Sequence, residues 1–205
     1  MTGIQNDSVK QMDSQTARFL RQLYNFRSFD EVEEKSRRDF IGLMRRSSNP
    51  FSRDHYDHHL TASAFVMNPA LTHVLLIYHN KLKKWVQPGG HCDGVKDPCK
   101  TALTEVWEET GLKRLKPVGL IDLNLYTNTP KGRYGHTDYD AAYLIIANPN
   151  DPLILNAREC GDAKWVPIEQ ITRYNPKKRS FIRVQQKIAH LRQHRNATGH
   201  LSLKS

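Results

Sequence analysis

Three carboxylates stand close together in the stretch WVQPGGHCDGVKDPCKTALTEVWEETGL, from Trp85 to Leu112. Glu105, Glu108 and Glu109 are spaced i, i+3 and i+4, so on a helix they share one face. Like charges arranged in this way repel, and Ala102 and Leu103 supply no compensating positive charge. A hard divalent cation, which prefers oxygen ligands, resolves that conflict. A solvated acidic helix end is the plainer alternative. The Pro88-Gly89-Gly90 loop in front of the helix favours the cation, because a residue without Cβ lets backbone and ligand approach closely.

A second polar cluster lies in FSRDHYDHH, from Phe51 to His59, which holds three histidines and two aspartates. Its spacing fits no common zinc motif, and it directly precedes a strand-like run. The expectation is a loop lying over the active-site cleft. Cys92, Cys99 and Cys160 are odd in number and lack metal-type spacing, which fits reduced thiols in a cytoplasmic protein.

The elements that must position these residues are legible in part. The helix carrying the glutamates starts at Asp97, a side-chain N-cap, with Pro98 at its first position, and stops at Gly111. Upstream, Phe19, Leu20, Leu23 and Phe26 fall at helical spacing. Ser28-Phe29-Asp30-Glu31 has the form of a capping box that opens a second helix, running to about Arg46. Strand-like runs span residues 61–67, 73–78, 82–86, 118–126, 139–147 and 163–166. In the fourth of these, Leu120, Asp122, Asn124 and Tyr126 alternate with Ile121, Leu123 and Leu125. Asn128, Pro130, Gly132 and Gly135 mark a long turn. A last helix, residues 176–194, carries Phe181, Val184, Ile188 and Leu191 on one stripe, with basic residues around the rest.

At 205 residues the chain suits one domain with an extension. The natural division is a helical extension at 1–50, a domain at 51–174 and a basic helix with tail at 175–205. No apolar run approaches a membrane span, and the N-terminus is polar, without the form of a secretory signal. The formal charge is +10, yet Thr172 to Ser205 holds nine positive and no acidic residues, which leaves the rest nearly neutral. The basic face of the last helix meets water or a polyanion such as nucleic acid.

The stretch beginning at Gly90 resembles the box of the Nudix family, G-x5-E-x7-R-E-U-x-E-E-x-G-U with U aliphatic. Gly90, Glu105, Val106, Glu108, Glu109, Gly111 and Leu112 match over about two dozen residues; Lys96 stands where the pattern has Glu, and Thr104 where it has Arg. In the family those two pair to brace the loop against the helix, so here the brace is missing. The resemblance implies an α/β/α sandwich with a mixed sheet between helices, bearing here an N-terminal helical extension and a C-terminal basic helix.

It also implies a hydrolase of the pyrophosphate bond in a nucleoside diphosphate linked to another moiety, by attack of water on phosphorus. Mg2+ or Mn2+ would be held by Glu105, Glu109 and Glu108 with the Gly89 carbonyl. The base comes in many members from a loop before a strand bearing Trp. Glu159, six residues before Trp165, has that place; Asp138, Asp140, Glu108 and Glu109 are rivals. Lys96, Arg133 and Lys131 are candidates for substrate phosphates, and Tyr126, Tyr134, His136 and Tyr139 for the organic half. Asp93 and Asp97 are replacement anchors for the loop. Family members are often dimers. The missing brace keeps an alternative open, a degenerate domain that binds a nucleotide or RNA for regulation and catalyses little.

Overall fold

A computed structural model describes residues 13–128 and 135–198, together with Leu203. The chain opens with α1 (Ser14–Asn25) and α2 (Glu31–Arg46). Asp13 caps α1, accepting from the amides of Gln15 and Thr16. The box ahead of α2 closes two residues later than Ser28 suggests. Asp30 accepts from the Glu33 amide at 2.7 Å, and Glu33 turns back to accept from the Phe29 amide at 2.7 Å. An ionised carboxylate is the stronger acceptor for exposed helix N–H groups, which leaves Ser28 Oγ to donate to Glu34.

Seven strands form one mixed sheet: β1 (His58–Met67), β2 (His73–His79), β3 (Lys84–Val86), β4 (Gly89–His91), β5 (Lys116–Asn128), β6 (His136–Ile146) and β7 (Cys160–Pro167). The main order is β3-β2-β1-β6-β5, with β4 beside β1 and β7 beside β2. β1 and β6 run parallel, in unbroken register from His58 opposite Thr137 to Met67 opposite Ile146. The other pairings are antiparallel.

Alternate side chains of each strand face opposite sides of the sheet, and each side has its own core. Leu60, Ala62, Ala64, Tyr139, Ala141 and Tyr143 pack with Phe19, Leu23, Phe40 and Leu43 of α1 and α2, and with Ala102 and Val106 of α3 (Pro98–Thr110). Phe65, Met67, Val74, Leu76 and Leu144 pack on the other side with Ile171 of α4 (Ile171–Tyr174) and Phe181, Val184 and Ile188 of α5 (Arg179–Thr198). The two N-terminal helices therefore share the sheet's own core.

Three sequence expectations are corrected. His58 and His59 begin β1, so the histidine run ends in a strand and does not form a loop throughout. Gly89-Gly90-His91 is itself a strand, laid against Thr61–Ser63 of β1. In β5, register shifts between Pro117 and Gly119 and between Leu120 and Asp122 break the simple alternation. A bulge re-aims the residues beyond it, and Ile121 and Leu123 consequently lie in different cores.

The basic face of α5 is not wholly solvated. Arg183 is buried and donates to Asp122 Oδ1 at 2.8 Å and Oδ2 at 3.0 Å. Lys187 donates to Glu33 Oε1 at 2.5 Å and to the Ile121 carbonyl at 2.5 Å. Burial works to raise Asp122, but the Arg183 hydrogen bonds and the Lys187 charge hold it below its usual range. Burial pushes Glu33 up to about 7 against the pull of Lys187. Arg192 pairs with Glu169 at 2.7 Å. Much of the positive charge on this helix thus fastens it to α2, β5 and the turn that precedes α4.

Candidate active site

The glutamate helix α3 is written by its ends. Asp97 accepts from the amides of Cys99 and Lys100. Gly111 ends it in a left-handed conformation (φ 74°), donating its amide to the Trp107 carbonyl, a conformation that favours glycine. Val106 and Ala102 are buried beneath the helix. That orientation aims Glu105 and Glu109 at β4 and leaves Glu108 and Thr104 exposed.

β4 meets the two aimed carboxylates. The Ala64 amide donates to the Pro88 carbonyl and the Cys92 amide to the Leu60 carbonyl, both at 2.9 Å. Hydrogen-bonded pairs alternate along an antiparallel ladder, so Gly89, opposite Ser63, turns its N–H and C=O away from β1. Its N–H donates to Glu109 Oε2 at 3.0 Å. The Glu105 carboxylate occupies the space where Gly90 lacks a side chain: a Cβ there would lie 2.5 Å from Glu105 Cδ. Gly90 is thus required by close approach.

Both carboxyls are shifted strongly. Burial, then the Glu108, Glu159 and Asp93 charges, pushes Glu105 up to about 7. Burial pushes Glu109 up to about 8; the Gly89 N–H opposes this, and Glu105 and Glu159 add to it. The Cys160 thiol lies 3.9 Å from Glu109 Oε1. Glu159 is exposed in the turn just before β7 and its charge reaches both carboxyls. Its segment is tied to the end of α3: the Ile154 amide donates to the Thr110 carbonyl at 2.8 Å and the Asn156 amide to the Glu109 carbonyl at 3.3 Å.

Of the other candidates, Asp140 is buried and accepts from Ser63 Oγ at 2.9 Å and Thr61 Oγ1 at 3.2 Å. Asp138 lies beside His59 and His136. Tyr139 is not a stacking platform for substrate: it is buried, edge-on to Phe40, with its hydroxyl accepting from Arg46 at 3.2 Å. In a strand whose side chains alternate, its neighbours Asp138 and Asp140 face the opposite side. Lys96 reaches neither box carboxylate; its ammonium pairs with Asp13, the α1 cap, at 3.1 Å. Arg133, Lys131 and Tyr134 lie outside the described residues. Tyr126 accepts from Lys178 at 3.1 Å.

Without the family's Glu–Arg brace, the loop from Cys92 to Asp97 is held from outside the box. Arg53 pairs with Asp93 at 3.3 Å, the Gly94 amide donates to the Phe51 carbonyl at 2.8 Å, and Arg18 approaches Asp97 at 4.0 Å. Together with Lys96–Asp13, these contacts come from α1 and from the segment ahead of β1.

A family model, NUDIX domain, matches residues 57–185. The mouse protein nucleoside diphosphate-linked moiety X motif 6 is 29% identical over 120 residues, covering 57% of this chain and 37% of that protein. The chain therefore matches little more than a third of that relative's length. Among solved structures, an Ap4A hydrolase of C. elegans superposes with a TM-score of 0.52 at 19% identity, over 65% of this chain and 97% of that one. The E. coli dihydroneopterin triphosphate pyrophosphohydrolase superposes with a TM-score of 0.52 at 12% identity, over 67% and 99%. At such identities the structural likeness speaks for the fold, a mixed sheet between helices. With a family model matched over most of its length and the glutamate helix set against the glycine strand, the chain belongs to the Nudix hydrolase family.

Proposed function

We propose that the chain is a pyrophosphohydrolase, cleaving a nucleoside diphosphate derivative by attack of water on phosphorus with a divalent cation at the glutamate helix. The observation that carries this reading is the convergence of Glu105 and Glu109 on the Gly89–Gly90 strand, with both carboxyls raised by burial and by surrounding carboxylates. The charges acting on Glu105 are all negative. Such a set lacks only its cation, and its donors are all oxygens, which suits Mg2+ or Mn2+. Nudix hydrolases generally use divalent metals, and the names of the structural relatives describe hydrolysis of polyphosphate compounds.

Glu105, Glu109 and the Gly89 carbonyl would hold the cation, with Glu108 at the exposed rim. Held by these groups, a divalent cation would supply the positive charge that neutralises phosphate oxygens and acidifies an attacking water. Gly90 keeps the carboxylates close to the backbone. The Gly89 N–H holds Glu109 through Oε2, and Oε1 lies beside the Cys160 thiol. Glu159, exposed and within electrostatic reach of both, is the proposed acceptor of the water's proton. Its position outside the box and beside the helix end supports that role.

The test is phosphate release from a panel of nucleoside diphosphate compounds, with a phosphatase as coupling enzyme and with or without Mg2+ or Mn2+. Cation-dependent turnover of at least one compound is expected, and Glu109→Gln abolishes it. Turnover by that variant at the wild-type rate overturns the site assignment. No turnover across the panel, with nucleotide binding retained, makes the chain a binding module.

A further inference from the structure

The residues that reach His59 of β1 come from two other strands. The parallel register sets Asp138 of β6 directly beside His59 of β1. His136 is two residues before Asp138 and shares its face. His91 of β4 lies opposite Thr61, two residues along β1 from His59. One ligand atom each of His59, His91 and Asp138 lie within 4.8 Å of one another. The rings of His91 and His136 stand 5.2 Å and 5.0 Å from that of His59.

Two separations about the Asp138 carboxylate have the dimensions of a coordination shell. His59 Nδ1 is 3.5 Å and His136 Nε2 3.4 Å from the same oxygen, Asp138 Oδ1. Good hydrogen bonds between such atoms are about 2.7–3.2 Å. Two ligands at ordinary zinc bond lengths, in a tetrahedron, are instead about 3.4 Å apart. His59 Nδ1 is buried and makes no hydrogen bond among the described residues, a costly state for a ring nitrogen without a ligand. The other histidine cluster, His55–Asp57–His58, also has a buried ring nitrogen without a hydrogen bond among the described residues, His58 Nε2, but differs in its separations. There the His58 Nδ1 and Asp57 Oδ1 are 2.8 Å apart, an ordinary hydrogen bond between sequence neighbours.

We propose that His59, His91 and Asp138, with His136 beside the shared carboxylate oxygen, form a second metal site for a divalent transition metal of the zinc class. Imidazole donors with one carboxylate select zinc over Mg2+, which takes oxygen ligands. The site is distinct from the glutamates of α3 in both donor type and position. It is joined to them through β4, because His91 directly follows Gly89 and Gly90. An ion there ties β1, β4 and β6 together at one end of the sheet.

Chelator-treated protein is titrated with Zn2+ by calorimetry and with Co2+ by visible absorption. One tightly bound equivalent of Zn2+ is expected at the histidines, apart from any weaker binding at the glutamates of α3. The Co2+ form should show the d–d bands of a nitrogen and oxygen site without thiolate charge-transfer bands. His59→Gln and His91→Gln each weaken Zn2+ binding by at least about tenfold, and the wild-type Tm rises with Zn2+ while that of His91→Gln does not. Glu105→Gln/Glu109→Gln and His55→Gln/His58→Gln retain binding. Three results overturn the proposal: no Zn2+ bound by the wild type, thiolate bands that place Co2+ on cysteine, or affinity unchanged by both His59→Gln and His91→Gln. The wild-type cobalt spectrum decides the ligand type even where a variant folds poorly.

Discussion

Glu109 combines burial with a single backbone partner, and that combination has a thermodynamic signature. In the folded chain its carboxyl is raised from 4.5 to about 8, and that of Glu105 from 4.5 to about 7. The folded state therefore holds protons that the unfolded state has released. Stability falls as pH rises through the window between about 4.5 and 8. Unfolding in urea across that range, without divalent cation, is expected to show the fall; Glu109→Gln flattens it, and adding Mg2+ reduces it. Glu33 contributes in the same direction, so the difference between wild type and variant isolates the site. His58 and His91, lowered by burial, act the other way, so it is a wild-type stability rising with pH relative to Glu109→Gln that contradicts the burial described. At Glu159, replacement by Gln removes the proposed base, and a kcat loss of about 10²–10⁴-fold with KM little changed is expected. Gly90→Ala drives a methyl into the Glu105 carboxylate. Hydrolysis should collapse while circular dichroism shows the fold intact.

Among the elements, α3 was the most legible in the sequence, because its signals are local: a cap, a proline and a glycine at the ends, and carboxylates at helical spacing. β4 was hidden, since Gly-Gly reads as a turn and only the edge of β1 makes it a strand. The roles of Arg183 and Lys187 were also hidden. A basic residue on an amphipathic helix is ordinarily solvated, and the acids that bury these two, Asp122 and Glu33, come from a strand and a helix far away in sequence. Removing one partner of such a network leaves an uncompensated buried charge. Arg183→Ala is expected to lower unfolding stability by about 3–5 kcal/mol, measured by urea denaturation, whereas Lys177→Ala, at an exposed side chain, changes it little. The His59, His91 and Asp138 cluster escaped the sequence for a similar reason. Its spacing is set by the β1–β6 register, and no short motif contains it.

For the whole molecule, the two N-terminal helices act as a layer of the domain. The sequence reads them as a helical extension, and in the structure Phe19, Leu23, Phe40 and Leu43 are buried in the same core as Leu60 and Val106. A scanning-calorimetry experiment should give one cooperative transition for the whole chain. A chain starting at residue 51 exposes the apolar face of the sheet and should lose that transition or aggregate. An independent melt of the N-terminal segment sinks this view. No helix among the described residues is long and apolar enough to cross a membrane.

The stitching of Ile154 and Asn156 to the carbonyls of Thr110 and Glu109 has a consequence for how this site can change over evolutionary time. The segment carrying Glu159 is registered to the last turn of the glutamate helix, so neither can drift in length without displacing the other. Insertions that alter substrate choice must enter elsewhere along the cleft. Transplanting the site onto another scaffold would require Gly89 through Cys160 to travel as one cassette, with the strands β5 and β6 that lie between its halves.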